Sequence, residues 1–489
     1  MNTRISLLVL LVAVGIGLFV IIRMNTAPST PTGIDRTNER LLDPGDFHPD
    51  RVTAMNIEWA GGEKALFQKD GNVWRQTSPV TFRMQEFAMR RLATAVADLT
   101  VSKTYQAGDL EGEGSLAALD LDPPAATIRY TLSAEGDEGE ATETTIYLGQ
   151  IFVGGQAYTK LKDDDRVYVV PDDLHKRLLQ MDVKEWRDRT IFDGLSQEMS
   201  RINIENHDEG ATLSLNQVDG TWKMIDPVTT TVDVKAMGTL VQNLIGASIR
   251  AFVSDSPEDI AVYGLDAPQM RVMVETDRTN EDGSISTDTQ TLLLGNPIGL
   301  TDKSRYAKLK STTPVFTVNA AVVGNITKPA ESLLSKVVVD ASPEDIGSVT
   351  IDGPAGKFDL ARTTEGGWRA FPTLVNANAF EVSTASVEAL LARLTSDQEG
   401  AEFGKLAEED VVMRIVVRGF DDSTLGTFAI GTIGVNGAFR VVFDDGSGVL
   451  RYTDNATLPD FDPQKYVSDP GAPPAAGEGV VTNPDDVSK

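Results

Sequence analysis

A unit beginning Trp-x4-Pro recurs along this chain and constrains its architecture more than any other feature. It continues through an amphipathic helical pattern to a Leu-Gly pair and a Tyr-x-Lys-Leu-Lys strand. The first copy carries Trp74, Pro79, Pro124, Leu148-Gly149 and Tyr158-Thr159-Lys160-Leu161-Lys162. The second carries Trp222, Pro227, Pro268, Leu294-Gly295 and Tyr306-Ala307-Lys308-Leu309-Lys310. The Trp-to-Tyr spacing is the same in both, since 158 − 74 equals 306 − 222. A shortened third copy keeps Trp368, Pro372 and Ile430-Gly431; it lacks the middle Pro and has Phe439 in the Tyr place, at the smaller spacing of 439 − 368. Solenoid repeats run to roughly 50 residues. The period here, 222 − 74, is far longer, so the copies read as duplicated domains.

Local signals give each copy the same content. In the first, Val52–Trp59 and 64–68 pattern as strands, and the Asp70-Gly71 turn delivers Trp74 on the next one. Met84, Phe87, Ala88, Leu92, Ala95, Val96 and Leu99 then recur at helical steps. Asp233 is positioned to cap a second helix with Val234, Met237, Leu240, Val241, Leu244 and Ile245 on one face; Val387, Leu390, Leu391 and Leu394 mark a third. Strands follow each helix, as at 127–132, 144–148, 157–161 and 167–170. Strands, one helix and more strands with tight turns predict α+β units with mainly antiparallel sheet.

Residues 5–22 hold no charge and lie between Arg4 and Arg23. Eighteen helical residues span about 27 Å, close to the hydrocarbon thickness of a bilayer. No small-x-small cleavage site follows, so the stretch is expected to be an uncleaved transmembrane anchor rather than a signal peptide. The expected division is anchor 1–24, linker 25–50, repeat units 51–199 and 200–346, a reduced third unit 347–465 and a disordered tail 466–489 rich in Pro, Gly and Ala.

Acidic residues outnumber basic ones 72 to 44, a net charge of −28, which repels nucleic acid and anionic headgroups from the bulk of the chain. There is no Cys, hence no disulfide, thiolate metal site or Cys nucleophile. No Gly-x-Ser-x-Gly, phosphate loop or dinucleotide fingerprint occurs. His48, His175 and His207 have no His or Cys at ligand spacing and read as surface residues. The acidic runs at 163–165, 281–283 and 444–447 read as solvated turns and lack the calcium-loop pattern. Trp74, Trp222 and Trp368 read as core anchors. No catalytic, cofactor-binding or metal-binding residue is expected. The repeated polar feature is the strand pair with Tyr158, Lys160 and Lys162, and Tyr306, Lys308 and Lys310. Alternation puts each triplet on one face, either as a solvated surface that discourages edge pairing or as a surface meeting an acidic or polar partner.

With its Trp-x4-Pro, Tyr263-Gly264-Leu265-Asp266-Ala267-Pro268, Leu294-Gly295 and Tyr306, the chain resembles the bacterial DUF4340 family. The first unit has a worn version of the central motif, Asp120-Leu121-Asp122-Pro123-Pro124, and the third has none. The resemblance implies a single-pass protein of the inner membrane whose bulk is periplasmic, encoded beside ABC-type transport genes of the kind linked to gliding motility. It brings no catalytic residue. The expected function is noncatalytic: an accessory or scaffold subunit of an ABC-type transport or envelope complex, with the membrane and a permease as partners and no nucleotide or nucleic acid. A binding module for polysaccharide or lipid is the alternative, and an acid-pair hydrolase a distant one.

Overall fold

The computed structural model describes residues 34–112, 115–134, 140–152, 154–195, 198–280, 282–354, 356–372, 379–435 and 438–454. The expected anchor at 5–22 and tail at 466–489 lie outside the described residues. Among the described residues, no helix is long and apolar enough to cross a membrane.

The fold is α+β and rich in sheet, with three mostly antiparallel sheets and few helices. The first sheet runs, in spatial order, Ile34–Arg40, Thr100–Gln106, Arg166–Pro171, Gln156–Leu161, Thr142–Phe152, Ala126–Leu132, Val52–Trp59, Lys64–Asp70, Val73–Ser78 and Phe82–Arg83. The second runs Ile249–Ser254, Val315–Val318, Arg305–Leu309, Ile285–Pro297, Met270–Thr279, Met199–Asn206, Ala211–Val218, Thr221–Asp226 and Thr230–Thr231. The third runs Gly400–Phe403, Val449–Asp454, Ala438–Asp444, Thr424–Val435, Val411–Gly419, Ile346–Gly353, Gly356–Arg362, Trp368–Pro372 and Phe380–Val382. Apart from the extra strand Ile34–Arg40, the connectivity is identical. Val52–Trp59, Met199–Asn206 and Ile346–Gly353 are the central strands, each paired on one side with the next strand and on the other with one that follows the helix.

By packing the chain forms two compact units. Among the described residues, one gathers those up to Arg189 with Ile249–Asp259 and Thr312–Phe316; the other takes Thr190–Ser248, Ile260–Ser311 and those from Thr317. In the first unit, helix α1 (Glu86–Ala97) buries Met89, Leu92, Ala93, Val96 and Ala97 among Met55, Ile57, Phe67, Trp74, Ile128 and Tyr130 of the sheet. Helix α2 (Asp173–Gln180) adds Leu174 and Leu178. In the second unit α3 (Val234–Ile245) is capped by Asp233, whose Oδ1 accepts from the Ala236 amide at 2.7 Å. Helices α4 (Ala320–Ile326) and α5 (Thr384–Thr395) also belong to this unit, and α5 buries Val387, Leu390, Leu391 and Leu394 against the third sheet.

Several expectations require correction. Phe87 and Val234, assigned to the buried helix faces, are exposed; each sits in a first helical turn, and Phe87 lies under the Arg91 guanidinium, 5.3 Å from its ring centre. Part of the expected linker is structure: Ile34–Arg40 pairs with Thr100–Gln106, and Phe47 enters the core edge-on to Tyr130. Register places Trp74, Trp222 and Trp368 at one position, opposite Lys69, Gln217 and Arg362. Trp74 and Trp368 are buried, but Trp222 is only half-buried. Phe439 does not take the Tyr place. Leu294 pairs with Ala307, the residue after Tyr306, and Ile430 pairs with Phe443, so the equivalent of Tyr306 is Val442. Counting from Trp missed this because the third unit is shorter between its helix and its Ile-Gly pair.

Candidate functional site

The outer face of the second sheet carries a groove, an open depression of ≈ 360 Å³. Four neighbouring strands build it. In strand order, Asn203, Met273 and Thr291 form one cross-strand row and Glu205, Arg271, Leu293 and Lys308 the next. Lys310 lies at the end of the first row, its amide bonded to the Thr291 carbonyl at 2.9 Å. The intervening residues Ile202, Ile204, Val272, Val274, Leu292 and Leu294 point to the core and are buried. This is period-two alternation: one side forms the core, the other the lining. Leu265, Asp266 and Pro268 close the groove from above.

Those three residues belong to the Tyr263–Pro268 motif, whose geometry explains the Leu-Gly pair. The short helix Ala261–Tyr263 ends at Gly264, with φ +67°, where a side chain would strike Asn296. The turn then lays the Tyr263 carbonyl over Gly295, so closely that a Cβ there would lie 2.2 Å from the oxygen. Gly149 stands under the Leu119 carbonyl and Gly431 under the Asp410 carbonyl in the same manner, at 2.4 and 2.3 Å. Only glycine admits this approach. The Tyr263 and Tyr306 rings meet edge to face, 5.0 Å apart, which fixes the motif over its own strand.

Polar contacts give the groove a mixed character. Arg271 donates to Glu205 at 3.2 Å, and His207 lies 3.4 Å from the same carboxylate. Asn203 Oδ1 accepts from the Ser214 hydroxyl. Burial lowers the Lys308 pKa, whereas Lys310 stands in solvent. The arrangement offers cationic donors around the half-buried side chains of Met273 and Leu293.

The six residues singled out in the sequence fall in two settings. In the second sheet, Lys310 lines the groove, Lys308 is next to Leu293, and Tyr306 holds the motif. In the first, Tyr158 packs in a small cluster with Leu119, Leu121, Val167 and Tyr105, its ring 4.9 Å from Phe152. Burial, with the neighbouring Tyr105, raises its pKa. Lys160 donates to the Leu161 carbonyl and Lys162 is exposed. The structure therefore does not gather the six together. Sequence reasoning missed Asn203, Glu205, Arg271, Met273 and Leu293, which share no motif; the only signal was their polar phase in alternating strands.

The comparison with known families bears on the same motifs. The family model described as a domain of unknown function (DUF4340) matches residues 74–227 and again 222–408, both matches opening on the Trp of Trp-x4-Pro. The chain belongs to the DUF4340 family. A search of curated proteins finds no match. As a DUF4340 protein the chain carries the matched region twice, and the second match contains most of the groove.

Other titratable groups serve local structure. Arg166 holds the Asp164 carboxyl well below its usual range with a bidentate contact, and the Tyr168 hydroxyl adds a 2.5 Å bond. His175, expected at the surface, is instead buried: α2 turns it inward with Leu174 and Leu178, and its Nε2 lies 2.9 Å from the Tyr158 carbonyl. Burial pulls its pKa down to about 4. Arg187 is also buried. It holds both oxygens of Asp255 at 2.6 and 3.0 Å, reaches Gln76 Oε1, and lies between the rings of Phe82 and Phe252. No group of three or more His, Asp or Glu residues suited to a metal ion occurs among the described residues.

Proposed function

We propose that this DUF4340 protein is a noncatalytic, membrane-anchored scaffold of the inner membrane whose periplasmic sheets bind a subunit of an ABC-type transport or envelope complex. The observation that supports this reading is the character of the groove. It is open, its charges are the Arg271–Glu205 pair, Asp266 and Lys310, and its floor is the outer face of a sheet, which suits a protein segment better than bond chemistry. The anchor at 5–22 would hold the sheets near the bilayer, and docking would tether the partner.

The test is affinity purification of the tagged full chain from crosslinked membranes. The expected result is enrichment of a permease or its ATPase with the intact chain, reduced when Lys310→Glu is introduced. Recovery of the chain alone, or a mature N-terminus between residues 25 and 35, would refute the reading.

A further inference from the structure

The strands that follow α1, α3 and α5 are Thr100–Gln106, Ile249–Ser254 and Gly400–Phe403. The last two end their sheets, whereas Thr100–Gln106 carries Ile34–Arg40 on its outer side. The chain entering each unit meets this region in one common way. The Leu41 amide donates to the Leu99 carbonyl at 2.7 Å, the Ile191 amide to the Ala247 carbonyl at 3.0 Å, and Val337 bridges to Asp397. Ile34–Arg40 lies before that shared contact, so it is an addition to the repeated design. It is also a poor strand. Ile34 faces Thr104 and Asp35 faces Lys103, then Glu39 faces Val101 and Arg40 faces Thr100. From Asp35 to Glu39 is 39 − 35 = 4 residues, against 103 − 101 = 2 on the partner, so two residues are unmatched and the ladder is interrupted at its middle. Ile34 is its one apolar residue, and Glu39 and Arg40 are exposed. The core begins only beyond it, with Leu41, Leu42 and Phe47.

Thr100–Gln106 itself is firmly held. Val101 enters the core and Thr104 is buried. Its inner side pairs with Arg166–Pro171 at four consecutive residues, Lys103, Thr104, Tyr105 and Gln106. The Ser102 hydroxyl donates to the Val169 carbonyl at 3.1 Å and accepts from Gln156 at 2.8 Å. A firm edge with a weak occupant invites exchange, because the main-chain groups of an edge strand pair with any extended segment that reaches them. We propose that the outer edge of Thr100–Gln106 docks an extended segment of a partner protein, which pairs as a strand and displaces Ile34–Arg40. The incoming segment runs antiparallel, pairs without the interruption, and sets a carboxylate opposite Lys103, at the position of Asp35. Until it arrives, Ile34–Arg40 shields the edge from indiscriminate pairing. This rests on the scaffold reading for the existence of a partner and adds how that partner is held.

The probe is a labelled peptide of residues 33–42 without Thr37 and Asn38, which removes the two unmatched residues. Its fluorescence anisotropy is followed as the purified full chain is added in detergent. The expected result is saturable binding, about tenfold tighter than that of the unshortened 33–42 peptide, as for one or two more ladder bonds. Glu39→Pro in the chain weakens its own strand and should tighten the binding of both peptides. The chain has no Cys, so Asp35→Cys with Lys103→Cys offers a single intramolecular disulfide, one that fastens Ile34–Arg40 in place. Oxidation of that variant should abolish binding and reductant should restore it. The proposal is overturned by an absence of binding to the Glu39→Pro protein, by equal binding of the two peptides, by binding that survives oxidation of the lock, or by a lock that does not form. It is overturned as well by a disulfide between a chain carrying only Asp35→Cys and one carrying only Lys103→Cys in the same membranes, which would make a second copy the occupant. Peptide binding without a co-purifying permease would refute the scaffold reading and leave the edge assignment intact. A co-purifying permease with no peptide binding would do the reverse.

Discussion

Gly295→Ala tests the motif geometry most directly. A methyl at this position would lie 2.2 Å from the Tyr263 carbonyl oxygen and 3.0 Å from the Gly264 backbone. Real Cβ atoms essentially never come closer than 3.0 Å, so the carbonyl must retreat by at least 3.0 − 2.2 = 0.8 Å. Retreat is resisted because the turn is tied at both ends, by the Tyr263–Tyr306 ring contact and by buried Leu265. Overpacking of this kind costs about 1–3 kcal/mol, and the rigid backbone obstacle places it toward the upper end. For a unit of this size each kcal/mol lowers the melting temperature by about 2–4 °C, so a drop of roughly 6–12 °C follows from about 3 kcal/mol. Gly238→Ala is the internal comparison. It lies inside α3 with nothing within 4 Å of its added Cβ. There alanine should stabilise by about 0.5–1 kcal/mol through helix propensity. Differential scanning calorimetry of both variants decides the matter. A Gly295→Ala protein that melts within a degree of the parent would refute the close-approach argument.

Four further outcomes are expected. Trp74→Ala and Trp368→Ala should each cost about 3–5 kcal/mol as buried large-to-small changes, and half-buried Trp222 should cost clearly less; denaturant melts rank them. His175 has its folded pKa depressed to about 4, below the ordinary value of 6.5. Unfolding therefore takes up a proton between those values, so stability is present above pH 6.5 and is lost as pH falls toward 4; His175→Phe should flatten that slope in melts from about pH 4 to 7. Arg187→Ala leaves Asp255 and Gln76 without the guanidinium and should cost about 3–5 kcal/mol, whereas Arg187→Met with Asp255→Leu should recover most of it in the same melts. Lys162→Glu, at an exposed strand end, should move stability by no more than about 0.5 kcal/mol.

Much of the architecture was legible because it is written more than once. Equal Trp-to-Tyr spacings exposed the repeat, and the pattern in Val52–Trp59 located a strand that the fold places at the centre of its sheet. Asp233 announced its helix through a side chain that does a local job. Relations between distant segments were less visible. Ile34–Arg40 has polar linker composition and becomes a strand only because Thr100–Gln106 offers it an edge. His175 read as a surface residue because it has no His or Cys at ligand spacing; helix phase buries it with Leu174 and Leu178. The groove eluded sequence reading for a related reason. Glu205, Arg271 and Leu293 come from three separate strands, far apart along the chain, and only register makes them neighbours. The repeated lysines drew attention to a strand that borders the groove in the second sheet, but the residues beside them carry no repeated signature.

The buried ion pair of Arg187 also sets a timetable. Its partner Asp255 is made only after the whole of Thr190–Ser248, and the same compact unit draws in Thr312–Phe316 as well. A ribosome that has just released Arg189 must still add every residue through Phe316 before this unit has all its parts. At about 5–20 residues per second that is a wait of roughly 6–25 s. For the first half of it the guanidinium has no carboxylate, so the nascent first unit is an incomplete body, open to chaperones and proteases. A gene fragment that stops at Arg189 makes that interval permanent.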